Sequence, residues 1–199
     1  MKVALFGATG MVGSGVLLEC LDFASLREEL TGMDGCFFCL GVSSAGMKEA
    51  DYRRLTYEVT LAAAKVLVAA SPLATFVCVS GEGTDSTEHG RSMWARVKGK
   101  TENDLLAMPF KAAYMFRPGY IQPLQGVRSK TPVYQAIYNV AALLYPLLRR
   151  IIPKYTTTTV NVGVAMIEVA AHGYVHPIIR TSEINTIATG AAVFEGGAR

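Results

Sequence analysis

The chain has 199 residues, of which 51% are hydrophobic and 18% are charged, and its formal net charge is +3. This length suits one domain with a full core and is short for two domains. The scattered basic residues argue against nucleic-acid binding, and no apolar run reaches the roughly 18–20 residues that would span a bilayer.

The first predicted element is a short apolar strand over residues 2–6, which runs directly into a glycine turn. Its glycines are spaced three apart at Gly7, Gly10 and Gly13, and a helical apolar pattern follows over about 11–21. A strand, a glycine turn and a helix in this order place the free N–H groups of the helix where they can hold a pyrophosphate. The segment therefore predicts a dinucleotide site, with a tight turn that binds nothing as the alternative.

The following elements alternate between strand and helix. We predict further strands at 35–40, 75–80 and 112–117, and helices at 49–70, 92–107, 132–149 and 159–171. Alternation of this kind indicates an α/β fold, a Rossmann-like doubly wound parallel sheet with helices on both faces. We expect residues 1–199 to form a single nucleotide-binding domain, in which about 120–199 form a mostly helical cap on the substrate side.

One part of this fold is missing from the pattern. A dinucleotide-binding half has its second strand about 20 residues past the glycines, yet only residues 22–35 separate the first helix from the strand at 35–40. These residues predict one short helix that ends at a glycine, which leaves no room for two more strands. We expect an omitted stretch of chain near residues 21–25, with a natural deletion as the alternative.

The cysteines at positions 20, 36, 39 and 78 do not form a metal pattern. Cys36 and Cys39 are three apart in an apolar strand, so they point to opposite faces. We predict reduced core cysteines in a reducing compartment and no metal site. Because the chain enters its first strand without a signal-peptide pattern, the predicted location is cytoplasmic.

Four later segments, together with the opening glycine turn, resemble a known family. They are Cys39–Ser44 (CLGVSS), Val79–Asp85 (VSGEGTD), Val97–Glu102 (VKGKTE) and Phe116–Gly119 (FRPG). Their order resembles the extended and atypical short-chain dehydrogenase/reductases, which include NAD-dependent epimerases, and more narrowly the Tat-interacting-protein type. The resemblance runs from the start of the chain to about Tyr120.

The resemblance implies a catalytic set with one departure. Ser80 would orient a substrate oxygen, and Lys98 would hold the nicotinamide ribose and lower the pKa of a tyrosine four residues before it. Trp94 stands at that position, and an indole N–H donates a hydrogen bond but does not titrate. Tyr120 is a candidate substitute, and Thr84, Asp85 and His89 lie in a loop that usually faces the substrate, although an ordinary packing or surface role is the alternative for each.

The resemblance also implies a cofactor site. The pyrophosphate would lie on the glycine turn, at Gly7, Thr9, Gly10, Met11, Val12 and Gly13. Leu40 and Gly41 would pass beneath the adenosine and ribose, with Lys98 and Pro118 completing the site. NADP(H) is favoured over NAD(H) from the resemblance alone.

These features lead to two hypotheses of function. The first is an NAD(P)-dependent oxidoreductase or epimerase-like enzyme that acts on a small carbonyl or hydroxyl substrate. The second, favoured by Trp94, is a catalytically weak NADPH-binding module with a redox-sensing or regulatory role.

Two C-terminal segments are also informative. The apolar run at 138–150 ends in two arginines and could line the substrate pocket, pair with a second copy in a homodimer, or rest on a membrane surface, and we favour the first two. Residues 156–159 (TTTT) predict a loop that caps a helix beginning near Val160.

Overall fold

Short apolar runs form a five-stranded parallel sheet in the computed structural model, which describes residues 1–7, 23–122 and 152–196. The strands within these ranges are β1 (Val3–Phe6), β2 (Gly35–Phe38), β3 (Thr75–Val79), β4 (Ala112–Arg117), β5 (Tyr120–Gln122), β6 (Thr156–Thr158) and β7 (Ile178–Arg180). The sheet has the order β1-β2-β3-β4-β7, and β5 and β6 pair separately as a parallel two-stranded sheet. The four predicted strands are therefore confirmed.

The helices follow the predicted alternation. Helix α1 (Glu49–Arg53) continues through a π-helical turn (Arg54–Glu58) into α2 (Val59–Ala70), and α3 (Met93–Leu106), α4 (Thr159–His172) and α5 (Thr181–Gly196) come later in the chain. The predicted helices at 49–70, 92–107 and 159–171 are confirmed, whereas those at 11–21 and 132–149 lie outside the described residues. No helix within the described ranges is both long enough and apolar enough to cross a bilayer.

Helices cover both faces of the sheet because successive strand residues point to opposite sides. Phe76 and Cys78 of β3 belong to a core cluster with Leu67 of α2 and Leu105 of α3. Between them in sequence, Val77 belongs to a second cluster, which contains apolar side chains of α4 and α5. The doubly wound α/β arrangement predicted from the sequence is confirmed.

The C-terminal elements mostly extend these layers. Of residues 120–199, the described part places α4 and α5 in the second core cluster, while β7 joins the main sheet beside β4. Strands β5 and β6 lie apart in their own two-stranded sheet. The predicted substrate-side cap also includes residues 123–151, which lie outside the described ranges.

Strand β1 forms one end of the main sheet. It pairs with β2, and Leu5 at its centre is 53% exposed. In a dinucleotide-binding fold, the second and third strands lie beyond the first on this side. The residues that precede β2 form a 3-10 turn (Phe23–Leu26) and reach Gly32 at φ +72°. The omitted stretch near residues 21–25 falls partly outside the described ranges and stays a prediction.

The cysteine prediction needs one correction. Cys36 and Cys78 are free and buried, as expected for core thiols, but Cys39 is exposed. Strand β2 ends at Phe38, so Cys39 lies beyond the strand and not within it, as the predicted strand at 35–40 had implied. Cys39 is therefore not a core residue, and Cys20 lies outside the described part of the chain.

The threonine run before α4 provides an N-cap, as predicted, although Thr156–Thr158 form β6 rather than a loop. Thr158 Oγ1 accepts the Asn161 N–H at 3.1 Å, and the helix begins at Thr159. We expect Thr158→Ala to lower the free energy of unfolding by about 1 kcal/mol, because this N–H loses its acceptor.

Urea denaturation of Thr158→Ala beside Thr186→Ala measures this effect. Thr186 is exposed within α5, and its hydroxyl donates to the Ser182 carbonyl. Because alanine has the higher helix propensity, we expect no loss of stability from the Thr186 control. Equal losses in the two variants would contradict the capping role.

Candidate functional site

The carboxyl ends of β1, β2 and β3 lie side by side because the three strands are parallel and adjacent. Gly7 follows β1, Leu40 and Gly41 follow β2, and Ser80 follows β3. A cleft opens here, and it is lined by Leu40, Gly41, Thr56, Thr60, Cys78, Val79, Ser80, Lys98, Thr101 and Glu102. This edge is where open α/β sheets bind their ligands.

Gly7 is the one predicted glycine of the opening turn that the structure describes. Its φ is +90°, and a Cβ built on it would lie 2.8 Å from the carbonyl carbon of Cys39 and from the nitrogen of Leu40. Any other residue would be strained and would push β1 away from the end of β2. Gly7 thus has the backbone conformation and the close approach that favour glycine, whereas Thr9, Gly10, Met11, Val12 and Gly13 lie outside the described ranges and stay predictions.

Ser80 and Lys98, which were predicted to act together, are in contact. Lys98 extends from α3, and its Nζ donates a hydrogen bond to the backbone carbonyl of Ser80. Burial lowers the pKa of Lys98, an effect that the nearby Cys78 and Glu102 oppose. An ammonium group has three N–H donors, so two remain for other acceptors in the cleft.

Glu102, for which the sequence predicted no role, lies at the centre of this site. Its carboxylate accepts the hydroxyl of Ser80 and pairs with Arg117 at the end of β4, whose Nε lies 3.1 and 3.0 Å from the two carboxylate oxygens. Glu102 is 1% exposed and Arg117 is 4% exposed. Each of the two buried charges is therefore stabilised by the opposite charge of its partner. The available signal was the spacing, because Glu102 follows Lys98 by four residues and shares its helix face.

Cys78 lies beneath these groups and also lines the cleft. Burial raises the pKa of its thiol to about 12, and the positive charge of Lys98 only partly offsets this effect. A thiol with so high a pKa stays protonated at neutral pH and is a poor nucleophile. The polar chemistry of the cleft therefore rests on the serine, the lysine and the glutamate.

Trp94, Tyr120 and Pro118 are absent from the described lining of the cleft. The Trp94 ring lies against Gly83, whose added Cβ would be 3.3 Å from the indole. The Tyr120 hydroxyl donates to Gln122 Oε1 at 2.9 Å. The Pro118 carbonyl accepts the N–H of Glu82 at 2.9 Å, which ties the end of β4 to the loop after Ser80.

The loop between Ser80 and α3 is organised by Asp85. Its carboxylate accepts the Thr87 hydroxyl at 2.6 Å and the Gly90 N–H at 2.6 Å, and these bonds hold its pKa below the usual value. Thr84 is buried and its hydroxyl donates to the Gly81 carbonyl, whereas His89 is exposed. The observed contacts of Thr84 and Asp85 stabilise the loop itself, which agrees with the alternative of an ordinary packing or surface role.

Comparison with known proteins gives one partial similarity. No protein-family profile matches the chain. Over 98 residues it is 32% identical to Protein FMP52-2, mitochondrial, from Scheffersomyces stipitis, a match that covers 48% of this chain and 41% of that protein. The chain thus matches less than half the length of this relative.

The name of this relative bears on the predicted location. It assigns the relative to mitochondria, which contradicts the predicted cytoplasmic location. That prediction rested only on the lack of a signal-peptide pattern, which is a default and not a positive signal. The cytoplasmic assignment is wrong by this comparison.

Proposed function

We propose that this chain binds NADP(H) and acts as an oxidoreductase on a small carbonyl or hydroxyl substrate, in the manner of the atypical short-chain dehydrogenase/reductases that its motifs resemble. The observation that carries the proposal is the contact between Lys98 and Ser80 on a cleft that also reaches Leu40 and Gly41. A cation and a hydroxyl-bearing residue at the carboxyl edge of a parallel sheet suit a nucleotide and a small polar substrate.

The described backbone fits a nucleotide at this edge. Gly7 brings the end of β1 against Cys39 and Leu40, with no side chain between them. Among the described residues, none has an atom within 4 Å of a Cβ added to Gly41, so the described part of the chain leaves space beside the backbone after β2. These features support a flat ligand group that passes over the strand ends. The preference for NADP(H) over NAD(H) is proposed from the resemblance alone.

The side chains of the cleft have separable tasks in this proposal. A bound nicotinamide would exchange a hydride with the substrate carbon, and the accompanying proton would pass between the substrate oxygen and water. Lys98, with one N–H committed to the Ser80 carbonyl, would donate another to a ribose hydroxyl. Ser80 holds the substrate oxygen, and the neighbouring apolar residues exclude water from the reacting carbon.

Lys98→Met is expected to weaken NADPH binding about 10- to 100-fold, because it removes a charged hydrogen-bond donor from the cleft. Lys100→Met is the matched control, since Lys100 lies on the same helix and pairs with Asp104 at 3.1 Å. We expect the control to keep the affinity of the unmodified protein. Isothermal titration calorimetry measures both, and equal affinities for the two variants would contradict the role of Lys98.

A binding module with little catalysis is the second candidate, and the position of Trp94 favours it. No tyrosine is among the described residues that line the cleft, and an indole cannot relay a proton. A module of this kind would bind NADPH tightly without oxidising it.

One experiment separates the two candidates. NADPH oxidation is followed at 340 nm across a panel of aldehydes, quinones and sugar nucleotides, for the unmodified protein and for Ser80→Ala. Turnover that Ser80→Ala reduces at least 100-fold supports the enzyme, since general acid–base and orienting groups commonly supply about 10²–10⁴-fold. Tight NADPH binding with no turnover on any member supports the binding module.

A further inference from the structure

The hydroxyl of Ser80 donates its hydrogen bond to another group of the protein. Ser80 Oγ lies within hydrogen-bond distance of Glu102 Oε1 and, at 3.2 Å, of the Phe116 carbonyl oxygen. Both partners are acceptors of the protein itself, and Glu102 also lines the cleft. Whichever of them receives the hydrogen, that hydrogen is already used and is not donated to a ligand.

The charge state of Glu102 sets the direction of this bond. Arg117 is permanently protonated and contacts both carboxylate oxygens, so the buried pair has an ionised glutamate. An ionised carboxylate accepts hydrogen bonds and cannot donate them. The hydrogen in the Ser80–Glu102 bond therefore belongs to the serine.

Ser80 consequently offers only oxygen lone pairs to the cleft. We propose that Ser80 is a hydrogen-bond acceptor for the ligand and selects one that carries a hydroxyl group, with Glu102 as the positioning residue that fixes this direction. The inference rests on the proposed function, which places the reacting oxygen of a small substrate beside Ser80. It adds that the alcohol form of that substrate binds more tightly than the carbonyl form.

A carbonyl ligand meets an unfavourable partner at the same point. Its oxygen has lone pairs and no hydrogen, so it would face the lone pairs of Ser80 directly. Lys98 donates equally well to a hydroxyl or a carbonyl oxygen, so it does not discriminate between them. One hydrogen bond made by the alcohol and lost by the ketone corresponds to about 5- to 10-fold in affinity.

Cyclohexanol and cyclohexanone are suitable probes because they share a ring and differ at the oxygen. Each is titrated into ¹⁵N-labelled protein without nucleotide, so that no turnover changes the probe, and the dissociation constants are taken from amide chemical shifts. We expect cyclohexanol to bind about 5- to 10-fold more tightly, and Ser80→Ala to reduce this ratio to near one. Thr186→Ala, on the exposed face of α5, is the control that keeps the ratio. Tighter binding of cyclohexanone, or a ratio that Ser80→Ala leaves unchanged, would overturn the proposal.

A second measurement needs no ligand. A serine hydroxyl bonded to a buried carboxylate exchanges slowly with water, so we expect a protected hydroxyl proton resonance that disappears in Ser80→Ala. A Ser80 hydroxyl that exchanges at the rate of a solvent-exposed threonine would overturn the proposal. Failure of NADPH to bind the same samples would refute the proposed function instead, and this resonance would still report the direction of the Ser80 bond.

Discussion

Glu102→Ala is expected to lower the free energy of unfolding by about 3–5 kcal/mol, the usual cost of removing one partner from a buried ion pair. The substitution leaves the Arg117 guanidinium at 4% exposure with no opposite charge. The Ser86 hydroxyl, which Arg117 also contacts, is neutral and cannot replace the carboxylate. Ser80 loses one of its two acceptors in the same step and keeps the Phe116 carbonyl. Urea denaturation at pH 7 measures the loss, with circular dichroism to verify that the variant folds.

Asp104→Ala is the matched control for this experiment. Asp104 lies on the same helix and pairs with Lys100 at the surface, where both side chains are about one-third exposed. Because water already solvates such charges, we expect a loss of about 1 kcal/mol or less. If Glu102→Ala destabilises the protein no more than Asp104→Ala does, the buried pair does not support the fold as described.

Gly99→Ala is expected to destabilise the protein by about 1–3 kcal/mol, as overpacking does, although alanine normally stabilises a helix relative to glycine. A Cβ at Gly99 would overlap the backbone carbonyl of Asp85. The loop cannot easily retreat, because the Asp85 N–H donates to the Ala95 carbonyl at 3.1 Å and the Asp85 carboxylate is held by Thr87 and Gly90. Thermal and urea unfolding measure the change.

The same substitution at Gly163 should have the opposite sign. Gly163 lies within α4, and no atom of the described part of the chain outside this helix lies within 4 Å of an added Cβ. Gly163→Ala is therefore expected to stabilise the protein by up to about 1 kcal/mol through helix propensity and reduced freedom of the unfolded chain. Stabilisation by both substitutions would show that the loop does not pack on α3 at Gly99.

The sheet could be predicted from the sequence where its strands carry a continuous apolar run. Residues 75–79, with the sequence TFVCV, are buried almost throughout, and such a run between turn residues indicates a central strand. Strands β5, β6 and β7 have three residues each. β6 consists of threonine alone. Strands this short form because they pair with segments distant in sequence, and a local pattern does not show those partners.

The site was predictable in part for a similar reason. Ser80 and Lys98 belong to motifs that resemble a known family, and the structure brings them together. Glu102 and Arg117 lie in the same motifs, but glutamate and arginine are residue types that usually lie at the surface. Their burial depends on the packing of α3 against β4, which a local pattern does not contain. A charged residue four positions after Lys98 was the available signal, and it was weak.

The most direct test of the proposed nucleotide site uses the single tryptophan of the chain. Trp94 precedes Lys98 by one helical turn, about 6 Å along the axis of α3, so a nicotinamide held by Lys98 lies within range of energy transfer. On titration with NADPH, we expect saturable quenching of the Trp94 emission, together with sensitised nicotinamide emission, at one nucleotide per chain. Unchanged Trp94 emission at millimolar NADPH would contradict the proposal that this cleft binds the cofactor.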